Sequence, residues 1–279
     1  MKHLGLITDK LRVFLATEIR RDTQSLVGFC AAYLWIFFLC FTYEFFFKSA
    51  LWQKNIRFDG HEMDFPLFLV SGLVVVRIIP FSIRIFDDIL SCLKNSSLTE
   101  WVLTTPTSLW ELFAAKAVWN GARVLAEVVV LIGVAKFFIG TPFKPFLQSG
   151  LIGPIFLMFV AYAGIGMMIS SASLYLKKGN VLFPFFIQVS TAFGGVFFPT
   201  QLFTGKLKLL SVVSDSLPIT HTLNVVRFAL IHEKTPNAMA HGQILASMAL
   251  IFSLTGFILL QRGLVWARKN GEFSKELYN

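Results

Sequence analysis

Residues 146–176 read FLQSGLIGPIFLMFVAYAGIGMMISSASLYL and contain no Asp, Glu, Lys or Arg. A helix needs about 20 apolar residues to cross roughly 30 Å of hydrocarbon, because it rises about 1.5 Å per residue. This stretch is longer than that requirement. It therefore predicts a helix that spans a lipid bilayer.

Similar apolar stretches lie on both sides of this one along the chain. The third stretch is mixed, because its first half carries Glu111, Lys116 and Arg123, so the purer half from Val124 onward is expected to lie in hydrocarbon. The sequence therefore predicts an all-α integral membrane protein with six transmembrane helices, at about residues 25–47, 65–85, 109–138, 146–176, 181–198 and 244–260.

The composition supports this class, since 55% hydrophobic and 15% charged residues are unusual for a soluble domain. No linker, repeat or low-complexity segment divides the chain, so residues 1–279 are predicted to form a single transmembrane domain. The net charge of +9 comes from basic residues that flank apolar stretches. Membrane lipids with anionic headgroups are therefore the expected partner, and nucleic acid is not.

Lys and Arg residues near the span ends indicate the orientation, because cytoplasmic loops retain positive charge. With both termini inside, twelve Lys and Arg residues fall in short inner segments and eight in longer outer loops that also contain acidic residues. This bias predicts a multi-pass protein of the inner or plasma membrane with both termini in the cytoplasm. The first stretch is too long for a signal-peptide core and no cleavage pattern follows it, so it is expected to be retained.

Cysteine spacing points to neither a disulfide nor a metal site. Cys30 and Cys40 lie within the first apolar stretch and Cys92 follows the second, with no CxxC pattern. No metal site is predicted.

Residues 4–22 have apolar positions at helical spacing opposite basic ones. This pattern predicts an amphipathic helix in the inner interface, or an ordinary solvated helix that packs on a soluble partner. The second polar segment, residues 95–104, follows the second stretch on the inside. Ser97 and Glu100 have capping-box spacing and Pro106 ends the turn, so a short stiff helix is expected, acting as a force-transmitting element or a mere connector.

The outer segment at residues 201–241 is too long for a hairpin loop and too apolar for a solvated one. It predicts two short helices interrupted at Pro218 that dip into the membrane from outside. Non-helical backbone at that depth must be covered by protein or line a wet cavity. Both a lid and a passive cap are consistent with this pattern.

The order of these elements resembles the membrane subunit of a type-2 ABC exporter. Four strings carry the resemblance together with Arg227: residues 21–28 (RDTQSLVG), 65–73 (FPLFLVSGL), 194–199 (GGVFFP) and 217–223 (LPITHTL). The resemblance covers almost the whole chain. The first two strings are similar to permeases for lipid-linked polysaccharides such as O-antigen or teichoic acid. The last one is more similar to drug and lipid exporters.

The resemblance implies a homodimer that pairs with two copies of an ATP-binding subunit, which holds ATP and Mg²⁺. The segment at 95–104 would be the coupling helix, with Ser97, Leu98, Glu100 and Trp101 as contacts to the ATPase subunit. The outer gate would include Phe198, Pro199, Pro218, His221 and Arg227. This chain has no GxxxxGK[ST] loop, so it is expected to be a transport subunit without cofactor or ATPase activity of its own.

Charged residues at membrane depth are candidates for the translocation path. Arg77 and Arg84 are seven residues apart and lie on nearly the same helix face, where they could receive a phosphate or pyrophosphate from the inner leaflet. The alternative is that Arg84 pairs with Asp88 and Arg77 pairs with Glu127. Arg123 and Glu127 are four apart, which predicts a local structural ion pair.

Gln188, Ser190 and Thr191 give the fifth stretch a small polar face, consistent with a pore lining or with close packing in a dimer. Enzyme chemistry is not favoured, since none of the five histidines forms an HExxH or similar ligand pair. Transport driven by an ion gradient would call for deep carboxylates, and Glu127 with Arg123 beside it is the only deep acidic residue. The sequence therefore ranks coupling to ATP above coupling to protons.

Overall fold

A computed structural model describes residues 56–58, 61–94, 109–139, 149–176, 182–197, 199–200, 208–231 and 236–270. The predicted interfacial helix at 4–22, the first predicted span at 25–47 and the predicted coupling segment at 95–104 lie outside these residues.

The described residues are helical apart from one short ribbon. Strands β1 and β2 pair antiparallel, with Arg57 opposite Glu62. The sequence did not predict this ribbon, because three-residue strands are too short to show an alternating pattern. In chain order the elements are β1 (Ile56–Phe58), β2 (His61–Met63), α1 (Phe65–Val76), α2 (Ile78–Lys94), α3 (Leu109–Ile139), a 3₁₀ turn (Ser149–Leu151), α4 (Ile152–Leu176), α5 (Leu182–Phe193), α6 (Lys208–Asp215), α7 (Pro218–Leu230) and α8 (Pro236–Lys269).

Four helical segments in this part of the chain are long and apolar enough to cross a membrane: Leu67–Asp88, Val118–Phe137, Ile152–Leu176 and Asn237–Ala267. The shorter α5 is apolar as well. The prediction of an α-helical multi-pass membrane protein is therefore confirmed. The last helix begins at Pro236, eight residues before the apolar stretch at 244–260, because helical backbone continues through the polar positions around His241.

The second predicted span is broken at Arg77, which separates α1 from α2. Pro80 explains the break. It has no N–H to donate to the carbonyl of Val76, and its ring crowds that carbonyl. The backbone N–H of Arg77 still bonds to the Leu73 carbonyl at 3.4 Å, so the two helices remain in line enough to be one span.

Helices α4 and α8 pack in parallel and in close backbone contact. A Cβ atom on Gly164 would collide with the backbone of Phe252, and one on Gly256 with the carbonyl of Gly164. Further along both helices, the Ser171 hydroxyl donates to the Leu259 carbonyl at 2.7 Å. Small residues at such a crossing let two backbones approach, which is the usual basis of helix packing in membranes.

Helix α2 also runs parallel to α4. Phe81 stacks on Phe159 with 5.3 Å between ring centroids, and a Cβ on Gly166 would meet the carbonyl of Ile83. Helices α2, α4 and α8 therefore run in the same direction through the helix bundle. The beginnings of α1, α4 and α8 consequently lie at the same end of the bundle.

The main core packs much of α7 against the spans. Its fully buried members come from five helices and include Phe68, Met158, Tyr162, Phe183, Ile219 and Leu223.

Candidate functional site

Helix α7 is buried around its whole circumference. It begins at Pro218 after the extended residue Leu217, and all but two of its 13 residues are buried. Proline is favoured at the first position of a helix, because its missing N–H would have no helical partner there. Polar side chains are among the buried ones: Thr220, His221, Thr222, Asn224 and Arg227. Buried polar groups need partners, so their contacts define what holds this helix in place.

Arg227 is the largest fully buried side chain, with 1% exposure. Its Nη1 donates to the Gly195 carbonyl at 2.9 Å, and its Nη2 donates to the carbonyls of Phe68 at 3.3 Å and Val196 at 3.4 Å. Its Nε lies 3.4 Å from the Ser71 hydroxyl. The guanidinium carbon is 3.5 Å from the centroid of the Phe68 ring, a cation–π contact. Arg227 thus joins α7 to α1 and to the end of α5.

The local backbone makes these carbonyl groups available. Helix α5 ends at Phe193, and Gly195 has a φ of 76°, a left-handed conformation that suits glycine. The carbonyls of Gly195 and Val196 therefore have no helical partner and can accept from Arg227. On the opposite side, a Cβ on Gly72 would lie 2.7 Å from the Val196 carbonyl oxygen, so only glycine lets this turn approach α1.

A second set of contacts surrounds His221, which is buried. Its Nε2 is 2.8 Å from the carbonyl of Asp215, the last residue of α6. Its Nδ1 is 2.9 Å from Nδ1 of His241 on α8, and Nε2 of His241 is 3.2 Å from the side-chain nitrogen of Asn224. This histidine cluster, comprising Asp215, His221, Asn224 and His241, joins α7 to α6 and α8.

The residues predicted for the outer gate converge only in part. Pro218, His221 and Arg227 all lie on α7, and their contacts reach three other helices and the turn after α5. Pro199 is half-buried after the turn, and Phe198 lies outside the described residues. Sequence reasoning missed His241, Asn224, Ser71 and Phe68. For His241 the available signal was weak, because it lies 20 positions from His221 and matches no ligand motif.

Two of the residues predicted for the translocation path lie at or beyond the start of α2. Arg77 is half-buried at the break between α1 and α2, and Arg84 is exposed on α2. Within the part of the chain that the structure describes, neither arginine forms an ion pair with Glu127 or Asp88. Arg123 Nε instead lies 3.5 Å from Oε1 of Glu127, as the four-residue spacing predicts.

The polar residues of α5 point in different directions. Gln188 is exposed, whereas Thr191 is half-buried and donates to the Ile187 carbonyl at 2.8 Å. Ser190 is buried, and its neighbours include Tyr162 of α4. Among the described residues no group of three or more His, Cys, Asp or Glu is placed to hold a metal ion.

The fold and this site define a multi-pass helical membrane protein in which one short helix is embedded among the ends of the spans. The chain belongs to the ABC-2 type transporter family, whose sequence profile matches residues 15–231. This finding confirms the resemblance that the sequence motifs carry. A comparison with curated proteins gave no match. Members of the family are membrane permeases of ABC exporters, lack an ATP-binding cassette in the membrane domain, and normally pair with an ATP-binding subunit.

Proposed function

We propose that this permease exports an amphipathic substrate with an anionic headgroup, a lipid-linked phosphate or a polysaccharide carried on one. In this proposal, a homodimer of the chain takes the substrate from the inner leaflet and releases it outward. Two copies of a separate ATP-binding subunit supply the energy, and residues 95–104 receive the force. Both termini then lie in the cytoplasm, as the distribution of Lys and Arg predicts.

The environment of Arg77 and Arg84 is the observation that favours an anionic substrate. Both lie within the span Leu67–Asp88, where a charged side chain is costly unless an opposite charge or water compensates it. In the described part of the chain no carboxylate forms an ion pair with either. An anionic headgroup that passes along α2 would supply such compensation, since guanidinium groups bind phosphate through two parallel hydrogen bonds.

The break between α1 and α2 supports a role for Arg77 in particular. A continuous helix would use all the backbone carbonyl groups around this position, whereas Pro80 leaves the Val76 carbonyl without its usual donor. Uncompensated backbone in a membrane is tolerated where it faces protein or water. Arg77 therefore lies next to a carbonyl group that lacks its usual helical donor.

Helix α7 is the proposed outer gate. Its contacts through Arg227 reach α1 and the end of α5, which are the elements that an opening on the outer side would separate. The described arrangement then corresponds to a closed outer side.

The test uses the chain reconstituted in proteoliposomes with the ATP-binding subunit that co-purifies with it. The probes are a polyprenyl phosphate and the matching uncharged polyprenol, and ATP hydrolysis and probe export are both measured. The wild-type complex is expected to export the phosphate in preference to the alcohol. Arg77→Leu is expected to abolish this export while the dimer and the ATP-binding subunit stay assembled.

Arg262→Leu is the matched control, because Arg262 is exposed near the inner end of α8. It is expected to leave export unchanged. Equal export of both probes, insensitive to Arg77→Leu, would overturn the anionic-substrate proposal in favour of a drug or lipid exporter. Export that persists without the ATP-binding subunit but stops when the proton gradient is removed would instead indicate gradient-driven transport.

A further inference from the structure

The histidine cluster has a definite direction of hydrogen bonding. A carbonyl oxygen can only accept, so Nε2 of His221 must carry the hydrogen that bonds to the Asp215 carbonyl. In a neutral ring, Nδ1 of His221 is then an acceptor. The hydrogen between the two rings must therefore be on Nδ1 of His241.

The same reasoning extends to the other end of the cluster. With Nδ1 of His241 protonated, its Nε2 is an acceptor in the neutral ring and receives a hydrogen from the side-chain amide of Asn224. Each hydrogen bond in the series Asn224, His241, His221 and Asp215 then joins a donor to an acceptor. The two neutral rings consequently have opposite tautomers.

The pair can accept one proton without losing its central contact. A proton on Nε2 of His241 requires only that the Asn224 amide turn its oxygen toward the ring. The bond from Nδ1 of His241 to Nδ1 of His221 then becomes charge-assisted, which strengthens it. A second proton has only Nδ1 of His221 to bind, and this places two N–H groups of two cations against each other across 2.9 Å. The rings cannot stay in contact in that state.

In the described part of the chain, the charged residues of the neighbouring α6 and α7 are Lys208, Asp215 and Arg227. Asp215 on α6 is exposed, and Arg227 on α7 is directed toward α1 and α5. By sequence, α4, α5 and α1 contain no Asp, Glu or Lys, and no histidine. Asp64 before α1 is exposed, and the connection from α7 to α8 adds His232, Glu233 and Lys234 at positions outside the described residues.

The two rings belong to different helices, so their separation would loosen the contact between those helices. His221 lies on the embedded helix α7 and His241 on the first turns of α8. We infer that His221 and His241 form an acid-sensitive latch on the outer side: the singly protonated or neutral pair holds α7 against α8, and a second proton releases it. This inference does not depend on which substrate the permease moves.

The first experiment measures the tautomers in the wild-type chain. The full-length protein with ¹⁵N-labelled histidine is placed in lipid nanodiscs near neutral pH, and the imidazole nitrogen signals are assigned with single His→Gln variants. The expected result is a hydrogen on Nε2 of His221 and on Nδ1 of His241. The same tautomer in both rings would overturn the latch, as would signals that change on adding EDTA, which would mean that the rings hold a metal ion.

The second experiment measures the release itself. Spin labels are attached at Ser216→Cys and Gln243→Cys, both exposed positions, after Cys30, Cys40 and Cys92 are replaced with Ser. The distance between the labels is expected to lengthen between about pH 7.5 and about pH 4.5, as the second proton binds. His241→Gln, which keeps a hydrogen-bonding side chain but cannot become a cation, is expected to remove this response.

His61→Gln on the β-ribbon is the matched control and is expected to keep the response. A distance that does not change with pH in the wild-type chain would overturn the inference, as would a response that survives His241→Gln. The tautomer measurement keeps the inference testable if a labelled variant fails to fold, because it reads the native pair.

Discussion

Arg227 shows how a buried cation can join several elements of a membrane protein through hydroxyl and carbonyl groups. The contacts that define its position are hydroxyl, carbonyl and aromatic groups of α1 and the α5 turn. The sequence predicted Arg227 and His221 as residues of the outer gate through the family resemblance alone. It could not identify Ser71 as a partner of Arg227, because the two are 156 positions apart and hydroxyl groups are common in helices.

Arg227→Lys is expected to lower the free energy of unfolding by about 2 kcal/mol, because a single ammonium group cannot reach acceptors on both α1 and the α5 turn. Thermal unfolding in mild detergent measures the change. Arg262→Lys, at an exposed site on α8, is the control and is expected to stay within about 0.5 kcal/mol of wild type. An Arg227→Lys protein as stable as this control would contradict the role assigned to the guanidinium fork.

At the scale of the element, run length and charge predicted the long helices well. In a membrane, a long apolar stretch without charge can hardly form anything but a spanning helix. The position of α4 was therefore predicted closely from residues 146–176. The break at Arg77 was not predicted, although Pro80 carries the signal four residues after the last residue of α1. The burial of α7 was only partly evident, because its polar residues are typical of a surface helix until their partners on other elements are known.

Gly164→Ala is expected to destabilise the protein by about 1–3 kcal/mol, because the added methyl group collides with the backbone of Phe252 and forces α4 and α8 apart. Gly133→Ala on α3 is the matched control. A Cβ there meets nothing within 4 Å, and alanine favours helix over glycine by about 0.5–1 kcal/mol. Unfolding of both variants under the same conditions should give effects of opposite sign. Equal effects would mean that close packing at Gly164 does not matter.

Pro80→Ala is expected to restore the hydrogen bond from residue 80 to the Val76 carbonyl and to merge α1 and α2 into one helix. Hydrogen exchange at the amide of residue 80 reports this bond directly, and the new amide should be protected. The proposed path also predicts weaker export, because a straight helix would reorient Arg77. A protected amide with normal export would mean that transport does not require the helix break.

At the scale of the whole molecule, the parallel course of α2, α4 and α8 fixes which loops share a side of the membrane. The starts of α1, α4 and α8 lie together, and so do the ends of α4 and α8. The positive-inside rule predicts that the latter side is cytoplasmic. The sequence could not show that α7 returns among the spans.

Cysteines introduced at Asp64 and Ser216 are therefore expected to react with an impermeant maleimide in intact cells. Those at Leu176 and Lys269 should react only after permeabilisation. All four positions are exposed, and the native cysteines are first replaced with Ser. Labelling of Lys269 in intact cells would reverse the orientation.

The proposed coupling role of residues 95–104 predicts where an ATP-binding subunit would bind the permease. Replacing Glu100 and Trp101 together with Ala is expected to abolish co-purification of that subunit while the permease still inserts and folds. Mass spectrometry of the purified complex measures the loss. Retention of the subunit would mean that it binds the permease outside residues 95–104.

The absence of side chains between α4 and α8 at Gly164 and Gly256 also constrains motion. Two backbones in direct contact at this crossing have no layer of side chains in which to slide, so these helices are expected to move as one rigid body. The displacement that accompanies a transport cycle must then occur between other helices. Helix α3, whose Leu125 and Val129 are exposed in the chain as described, is expected to make this movement.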